Sequence, residues 1–254
     1  MNKRGFTLIE LLVVIGVIGI LSTFAVVQLA GAREKARVSR SLAHSSQVLR
    51  FIGDDIALRW DLDECSGTVA NDSSGLNNNG SLINVTWSTD TPTNRNCSLH
   101  VDAESPASFI TSSVNPVISF SRMTVSSWFK TASLGGTGVS PYYFDFRIIN
   151  GGYFQFCLNG CHQSIKKYND NKWHLVVITG DSKNVLVYID GDNIPELTRP
   201  SDSGSISSFV LGSYNGSSNY ITEFDDFRMY SRALSSHDIR FLYAEEASEH
   251  VAVK

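Results

Sequence analysis

The sequence predicts a mainly β protein that begins with a long hydrophobic α-helix. Residues 11–30 are almost wholly apolar, whereas short runs rich in β-branched and aromatic residues recur from about residue 58 onward. Gly, Asn, Ser and Asp cluster between these runs, as they do in turns. A strand about every ten residues is typical of a β-sandwich or barrel. About 200 of the 254 residues follow the N-terminal segment, which is enough for one all-β domain with its own core.

The apolar N-terminal run is long enough to cross a membrane. At about 1.5 Å per residue, residues 11–30 form a helix of roughly 30 Å, the thickness of one hydrocarbon core. Glu10 is costly at the bilayer centre and less so near its edge, so the apolar side chains outweigh it. A signal peptide cleaved near residues 30–32 and a plain membrane anchor are the alternatives. Neither of them requires a carboxylate at position 10.

The stretch KRGFTLIELLVVIGVIGIL, residues 3–21, resembles the N-terminus of type IV prepilins and pseudopilins. The resemblance implies that a prepilin peptidase cuts between Gly5 and Phe6 on the cytoplasmic side, and that the new N-terminal Phe6 is methylated. It also implies that Glu10 of one subunit pairs with the amino terminus of Phe6 on a neighbour. Because a buried carboxylate and a buried ammonium offset each other's desolvation only as a pair, this contact would fix the register between subunits.

These features predict four segments: a prepilin leader at 1–5, a pilin-type helix with its transmembrane segment at 6–56, a β-sandwich at 57–246 and a tail at 247–254. The chain is then a single-pass protein of the inner membrane before assembly, with its C-terminal domain extracytoplasmic, and later part of a pilus or pseudopilus. The predicted partners are other pilin subunits, the prepilin peptidase, the inner membrane and glycans. A net charge of −4 is too small to imply a nucleic-acid partner.

Four cysteines favour a domain outside the cytoplasm. Cys157 and Cys161 flank the turn signal Asn159-Gly160 between strand-like runs, so a tight hairpin would bring the two sulfurs within bridging reach. A zinc half-site is the alternative, but a matching Cys/His pair is hard to find. A second disulfide between Cys65 and Cys97 follows by elimination.

Three ordered motifs in the C-terminal region resemble laminin-G-like, concanavalin A-like jelly-roll domains. They are WDLDECSGTVANDSSGLNNNG at 60–80, NKWHLVVITGDSKNVLVYIDGD at 171–192 and EFDDFRMYSRALSSHDIRFLY at 223–243. The resemblance covers roughly residues 58–245 and implies a jelly-roll β-sandwich. It says less about ligands, because this fold carries lectins, enzymes and inert spacers alike. The stretch ALSSHDIRFLYAEEA at 233–247 predicts one helix, capped by Ser235 or Ser236.

The catalytic residues of a glycan hydrolase are not evident in the sequence. Glycoside hydrolases of this fold resemble one another in a Glu-x-Asp-x-x-Glu strand. The segment EFDDFR offers Glu223 and Asp225, but Arg228 stands at the third position. We therefore expect a protein that is not an enzyme.

Two ligand sites are predicted, one for Ca²⁺ and one for a sugar. Hard cations take several oxygens; the loop NDSSGLNNNG supplies Asp72 and Asn77, and Asp225 comes from the closing strand. A turn whose Asp and Asn bond the backbone is the alternative. Trp87, in NVTWSTDTP, borders a turn and is the predicted exposed tryptophan that stacks on a sugar ring. The other three tryptophans lie in apolar, strand-like contexts typical of a core.

Together these observations predict a type IV pilin-like filament subunit that displays a lectin-like domain, with a role in surface adhesion and carbohydrate binding. A pseudopilin of a type II secretion system, whose head contacts cargo or the secretion machine, is the first alternative. A membrane-tethered glycan hydrolase is the second.

The N-terminal motif predicts a specific processing event. The intact mass of the mature protein should lack residues 1–5 and carry one additional methyl group, because cleavage after Gly5 exposes Phe6 for methylation. Mass spectrometry of protein purified from cells checks this, with protein from cells that lack the peptidase as the control. A mature terminus near Ala32 would show an ordinary signal peptide instead.

Overall fold

The computed structural model describes residues 55–93, 96–102, 108–133, 138–140, 145–149, 151–158, 160–192, 195–201, 203–212 and 221–249, together with residues 8, 12, 13, 15 and 17. The chain divides into two units, Met1–Val48 and Leu49–Lys254. The five described residues of the first unit are helical and exposed. Gly5, Phe6 and Glu10 lie outside the described residues, so their predicted roles stay predictions. Within the described parts of the chain, no helix has the length and apolarity to span a membrane.

The described part of the second unit consists of strands in two sheets and one C-terminal helix. The strands are β1 (Ile56–Trp60), β2 (Val69–Ala70), β3 (Gly80–Ile83), β4 (Thr86–Ser88), β5 (Ser98–Asp102), β6 (Phe109–Ser119), β7 (Met123–Lys130), β8 (Gly138–Ser140), β9 (Asp145–Ile149), β10 (Tyr153–Cys157), β11 (Cys161–Lys167), β12 (Trp173–Gly180), β13 (Asn184–Ile189), β14 (Leu197–Pro200), β15 (Ser205–Gly212) and β16 (Ile221–Tyr230). A short 3-10 helix, Phe120–Arg122, joins β6 to β7.

Each sheet has eight of the described strands. Sheet 1 has the order β14-β13-β12-β7-β16-β5-β4, and β1 also pairs with β16. Sheet 2 has the order β11-β10-β9-β8-β15-β6-β3-β2. Neighbours that are far apart in sequence, such as β7 and β16, pair antiparallel. This arrangement confirms the predicted jelly-roll-like β-sandwich. Strands β7 and β12 coincide with two of the runs rich in β-branched and aromatic residues, MTVSSWFK and WHLVVITG.

The core between the sheets is built from alternating apolar residues of both sheets. The ring centroids of Trp60 and Phe227, both from sheet 1, lie 5.4 Å apart, and Phe209 of sheet 2 lies 5.3 Å from Trp60. All three side chains are buried. The indole N–H of Trp60 donates to the carbonyl of Asn78 at 3.0 Å, so its one polar atom is satisfied inside the core.

Strand β16 occupies the middle of sheet 1 and changes partner halfway along one edge. Its first half, from Ile221 to Phe224, pairs with β5, and its second half, from Phe227 to Tyr230, pairs with β1. The register with β7 shifts between Asp225 and Arg228. Asp226 has a φ of 47° at this bulge, a left-handed conformation that Asp tolerates better than most residues. The bulge therefore sets the directions of the charged side chains near the centre of the sheet.

The C-terminal helix, Ser236–Glu249, packs on sheet 1 through contacts that include a ring stack, a hydrogen bond and an ion pair. The ring of Trp128 stacks on Tyr243 at 5.9 Å, and its indole N–H donates to Glu246 at 2.7 Å. Arg228 of β16 also pairs with Glu246. Ser235 is the N-cap: its hydroxyl oxygen accepts from the backbone N–H of Asp238, and the Asp238 carboxylate accepts from the backbone N–H of Ser235. Of the two predicted caps, Ser235 is thus the one observed.

Both predicted disulfides are present in the structure. Cys157 joins Cys161 across the β10–β11 hairpin, where the two residues are directly opposite each other in the register. Cys65 joins Cys97 and ties the loop after β1 to the start of β5. All four cysteines are therefore paired, which is typical of proteins from oxidising compartments.

Candidate functional site: a polar pocket on sheet 1

A row of polar side chains crosses five adjacent strands of sheet 1. Trp173 of β12 lies opposite Lys130 of β7, Lys130 lies opposite Glu223 of β16, Glu223 opposite His100 of β5, and His100 opposite Thr86 of β4. We call these five residues the polar row. Directly opposite residues in antiparallel strands have Cβ atoms about 5 Å apart, so each member can contact the next.

The polar row lies on the face of sheet 1 that points away from the main core. The residues that precede or follow it on three strands, Phe129, Phe224 and Leu99, belong to the core cluster. Because successive side chains of a strand point to opposite faces, Lys130, Glu223 and His100 project outward. The five residues of the polar row are far apart in the sequence, and the pairing of the strands collects them into one row.

A cavity of about 410 Å³ opens beside the polar row. It is lined by Asp90, Lys130, Thr131, Ala132, Ser133, Asn171 and Glu223. We call it the polar pocket. Its size is within the range of small-molecule sites. Asp90 follows β4, Asn171 precedes β12, and the 131–133 segment follows β7, so the loops at one end of sheet 1 close around it.

Asp90 is fixed at the mouth of the polar pocket by two donors. The Lys130 ammonium bonds Oδ2 of Asp90, and the indole N–H of Trp173 donates to Oδ1 at 2.9 Å. Burial opposes ionisation, but the hydrogen bonds from Lys130 and Trp173 outweigh it and lower the pKa of Asp90. Both oxygens are thus committed, and the charge of Lys130 is balanced inside the site.

Glu223 is the least compensated group of the polar pocket. Its side chain is 17% exposed, and Oε1 accepts from the Ser88 hydroxyl at 3.4 Å and lies 3.7 Å from Nδ1 of His100. Its Oε2 is buried, and no donor among the described residues bonds it. Burial raises the pKa of Glu223, and the neighbouring charge of Asp90 raises it further, while Lys130 and His100 oppose the rise. The site therefore holds a desolvated acceptor that lacks a donor.

Two carboxyl groups with different environments meet at the polar pocket. Two carboxyl groups whose pKa values move in opposite directions, as those of Glu223 and Asp90 do, are the pattern of an acid–base pair in glycosidases. Each oxygen of Asp90 already accepts one bond, from the Lys130 ammonium at Oδ2 and from the Trp173 indole at Oδ1.

Trp87, the predicted sugar platform, packs against the core, and its indole N–H donates to the carbonyl of Gly67 at 3.2 Å. This places it in a structural environment, and a contact with sugar at Trp87 stays a prediction. Trp173, assigned to the core from its sequence context, is instead only half-buried and bonds Asp90 at the polar pocket. The sequence signal was the polar pair Asn171-Lys172 before it, which marks a strand end.

Asp72 organises its own loop. Its Oδ1 accepts from the backbone N–H groups of Arg59 and Ser74, and its Oδ2 accepts from the Ser74 hydroxyl and the backbone N–H of Asn78. These donors lower the pKa of Asp72 although burial opposes them. Four donors thus bond the two carboxylate oxygens, as in the turn alternative, and a role of Asp72 as a metal ligand stays a prediction. Asn77, with a φ of 59°, is exposed at the same turn.

Asp225, the third predicted calcium ligand, is 4% exposed at the bulge of β16. Burial raises its pKa to about 9, and the carboxylates of Asp226 and Asp63 contribute to the rise. Its Oδ1 accepts the backbone N–H of Asp226 at 2.9 Å. No group of three or more His, Cys, Asp and Glu arranged to hold a metal occurs among the described residues. Calcium binding stays a prediction.

Sequence families identify both parts of the chain. Residues 103–240 match the model of the concanavalin A-like lectin/glucanases superfamily, which is more than half of the chain. The chain belongs to this superfamily. Residues 1–26 match the prokaryotic N-terminal methylation motif, so a type IV prepilin N-terminus is joined to a laminin-G-like domain, as the sequence motifs indicated. A search of the curated proteins finds no match.

Solved structures with a similar fold include the binding domains of clostridial toxins. The botulinum neurotoxin serotype D binding domain is 20% identical, with a TM-score of 0.62, and the match covers 76% of this chain and 52% of that one. The serotype D ligand binding domain in complex with N-acetylneuraminic acid is 21% identical over 78% and 52% of the two chains, with a TM-score of 0.62. The binding domain of Paraclostridial mosquitocidal protein 1 is 16% identical over 76% and 53%, also with a TM-score of 0.62. This superfamily member thus matches about half the length of each toxin domain, and the likeness shows the fold.

The buried carboxyl group of Asp225 should lower the stability of the folded protein at high pH, and the variant Asp225→Asn should remove this loss. A folded-state pKa near 9, against an ordinary value of 3.8, means that the folded state holds a proton which the unfolded state has lost. Stability therefore falls as the pH rises between these values. In chelator at pH 8, Asp225→Asn should melt several degrees above the wild type, at roughly 2–4 °C per kcal/mol regained, and the difference should shrink at pH 5.

Asp181→Asn is the matched control, because Asp181 accepts two backbone N–H groups in an exposed turn and an Asn oxygen can do the same. Thermal melts of the full chain in detergent, with calcium and with chelator, make the measurement. A lower melting temperature for Asp225→Asn at both pH values would contradict the account of Asp225. A rise of the wild-type melting temperature in calcium that is lost in Asp225→Asn would support a calcium site there.

Proposed function

We propose that this chain is a type IV pilin-like filament subunit that displays its lectin-like domain on the filament surface and binds carbohydrate in the polar pocket, in the service of surface adhesion. The observation that carries the proposal is the union of a prepilin methylation motif at 1–26 with a lectin-like domain at 103–240. The first part supplies a means of assembly, and the second supplies a rigid head whose loops can hold a ligand.

Assembly rests on the N-terminal helix. The prepilin peptidase removes the leader after Gly5, the subunit waits in the inner membrane, and neighbouring subunits then pack their apolar helices together. Glu10 of one subunit pairs with the amino terminus of Phe6 on another and fixes the axial register. A pseudopilin would use the same contacts, and display of the head on long surface filaments is what separates the two.

Carbohydrate binding is supported by the chemistry of the polar pocket. The carboxylate, ammonium and amide side chains that line it are directional polar groups of the kind that protein sites for sugars use, and the Trp173 indole donates to the lining residue Asp90. Several solved structures with this fold are of receptor or ganglioside binding proteins: one is described by the interaction of botulinum neurotoxin type C with two ganglioside molecules. At 16% identity that likeness suggests the class of ligand without assigning its site.

Removal of the Glu10 carboxylate tests the filament. Glu10→Ala should still insert into the membrane, because it removes a charge from an apolar helix, but filament yield should fall roughly tenfold or more since the partner amine loses its counter-charge. Leu12→Ala, an apolar truncation on the same helix, is the control for lost packing. Electron microscopy and sheared-filament yield provide the readout. Filaments of Glu10→Ala at wild-type abundance would refute the register role.

Binding of the full chain to immobilised glycans tests the head. In detergent, the wild type should bind at least one class of glycan on an array, and Asp90→Ala should weaken that binding roughly tenfold, because it frees the Lys130 ammonium and removes the partner of the Trp173 indole. Asp181→Asn should bind as the wild type does. If no glycan is retained, or if Asp90→Ala retains all of it, the polar pocket is not a carbohydrate site.

A further inference from the structure

His174 lies at the edge of the core, on the face of β12 that is opposite to the polar row. Its ring packs against Phe129 and Tyr168, with ring centroids 5.7 and 5.2 Å away, and its side chain is 12% exposed. Because successive side chains of a strand point to opposite faces, Trp173 points to the polar row and His174 points to the core side. The histidine is therefore close in sequence to the polar pocket without lining it.

Both ring nitrogens of His174 face a carboxylate. Nδ1 lies 2.8 Å from Oδ2 of Asp190, and Nε2 lies 2.9 Å from Oδ1 of Asp170. An ionised carboxylate can only accept hydrogen bonds, whereas a neutral imidazole has one donor nitrogen and one acceptor nitrogen. A neutral ring would place a lone pair against one of the two carboxylates, so only the imidazolium satisfies both contacts. We call Asp170, His174 and Asp190 the histidine clamp.

The charged groups around the ring favour its protonated form. The titratable groups on the elements packed around it are Lys166 of β11, Tyr168, Asp170 and Lys172 before β12, Asp190 and Asp192 after β13, Glu196 before β14 and Tyr243 of the C-terminal helix. On β7 the residue directly opposite is the uncharged Phe129. Burial lowers the pKa of His174, but the hydrogen bonds and charges of Asp190 and Asp170 outweigh burial and raise it. Burial also opposes ionisation of Asp170, but the hydrogen bonds from His174 and Lys172 lower its pKa.

The histidine clamp closes the turn that forms part of the polar pocket. Asp170 and His174 are four residues apart, and the turn between them carries Asn171, which lines the pocket. Asn171 has a φ of 61°, and its backbone N–H donates to the carbonyl of Thr131 at 3.1 Å. On the other side of the ring, Oδ1 of Asp190 accepts from the backbone N–H of the residue that follows His174, at 3.1 Å. The imidazolium thus joins the Asn171 turn to the turn after β13.

We infer that His174 is a positioning residue for the polar pocket: its imidazolium holds the Asn171 turn in place, and this wall of the pocket loosens when the ring loses its proton in alkaline solution. The effect on a ligand rests on the proposed carbohydrate binding, whereas the clamp is a property of the folded chain itself. A group whose folded-state pKa is raised adds stability below its ordinary value, which is 6.5 for His174, and this stability is lost as the pH rises through the folded-state value. The turn should therefore loosen above pH 6.5.

Nuclear magnetic resonance of the full chain in detergent tests the clamp without any ligand. The chain has six histidines, and the ring signal of His174 is the one that is missing from His174→Gln. In a pH titration of ¹⁵N-labelled protein, both ring nitrogens of His174 should carry protons up to a midpoint above 6.5. The backbone amide signal of Asn171 and the indole N–H signal of Trp173 should shift with the same midpoint, and in His174→Gln these shifts should be absent.

Substitution of the two carboxylates separates charge pairing from structural support. Asp170→Asn and Asp190→Asn keep the size of the side chain and remove one charge, so each should lower the midpoint of His174 by about one pH unit or more. Asp192→Asn is the matched control, because Asp192 lies on the same turn as Asp190 but bonds Lys166 instead of the imidazole. Its His174 midpoint should stay close to that of the wild type.

Glycan affinity measured over the same pH range gives the second readout. For a glycan that the wild type retains, affinity should fall about threefold or more across the His174 midpoint, and the fall should move to lower pH in Asp170→Asn. A midpoint at or below 6.5, a midpoint unchanged in both carboxylate variants, or pocket signals that do not follow it would each overturn the inference. If no glycan is retained at any pH, carbohydrate binding fails, and the resonance titration alone decides whether the clamp holds the pocket wall.

Discussion

The closing strand β16 pairs with β7 along one edge and with both β5 and β1 along the other, and the placement of the polar groups in this domain depends on these pairings. The first half of the strand carries Glu223 to the polar row. Its bulge turns Asp225 and Asp226 into a region where β5 and β1 part. Its second half directs Arg228 beneath the C-terminal helix. The charged residues of this one strand therefore lie in three different environments: the polar row, the bulge and the contact with the C-terminal helix. The environment changes along the strand because its neighbouring strand changes.

The C-terminal helix is held to sheet 1 by a small buried ionic group. Arg228 pairs with Asp226 and Glu246, and its side chain is 13% exposed, while that of Glu246 is 9% exposed. Desolvation makes each of these charges costly alone, so the network is stable only while it is complete. The indole of Trp128 donates to the same Glu246, which adds a directional contact to the charge pairing. These directional contacts fix where the helix lies on sheet 1.

The carboxyl groups of this domain fall into two classes, which differ in how many hydrogen-bond donors they have and in the direction of their pKa shifts. Asp72 and Asp90 are supplied with donors, and their pKa values are lowered against the effect of burial. Asp225 and Glu223 have fewer hydrogen-bond donors, and burial raises their pKa values. Groups of the first kind organise loops and fix a pocket wall. Groups of the second kind carry an unmet interaction, and one of them, Glu223, borders a cavity that a ligand can enter.

The sequence by itself determined the features that depend on near neighbours. The prepilin motif is a contiguous stretch, the β7 and β12 strands follow from runs of β-branched and aromatic residues, Ser235 caps a helix three residues before Asp238, and Cys157 meets Cys161 across a short turn. Tertiary structure decided what depends on strand order. Nothing local tells Lys130 that it lies beside Glu223, 93 residues away, or that Trp173 bonds Asp90, 83 residues away, rather than entering the core. Nor does local sequence show that the backbone N–H of Arg59, in β1, joins Ser74 and Asn78 of the loop as a donor to Asp72, because only the fold brings that strand beside the loop.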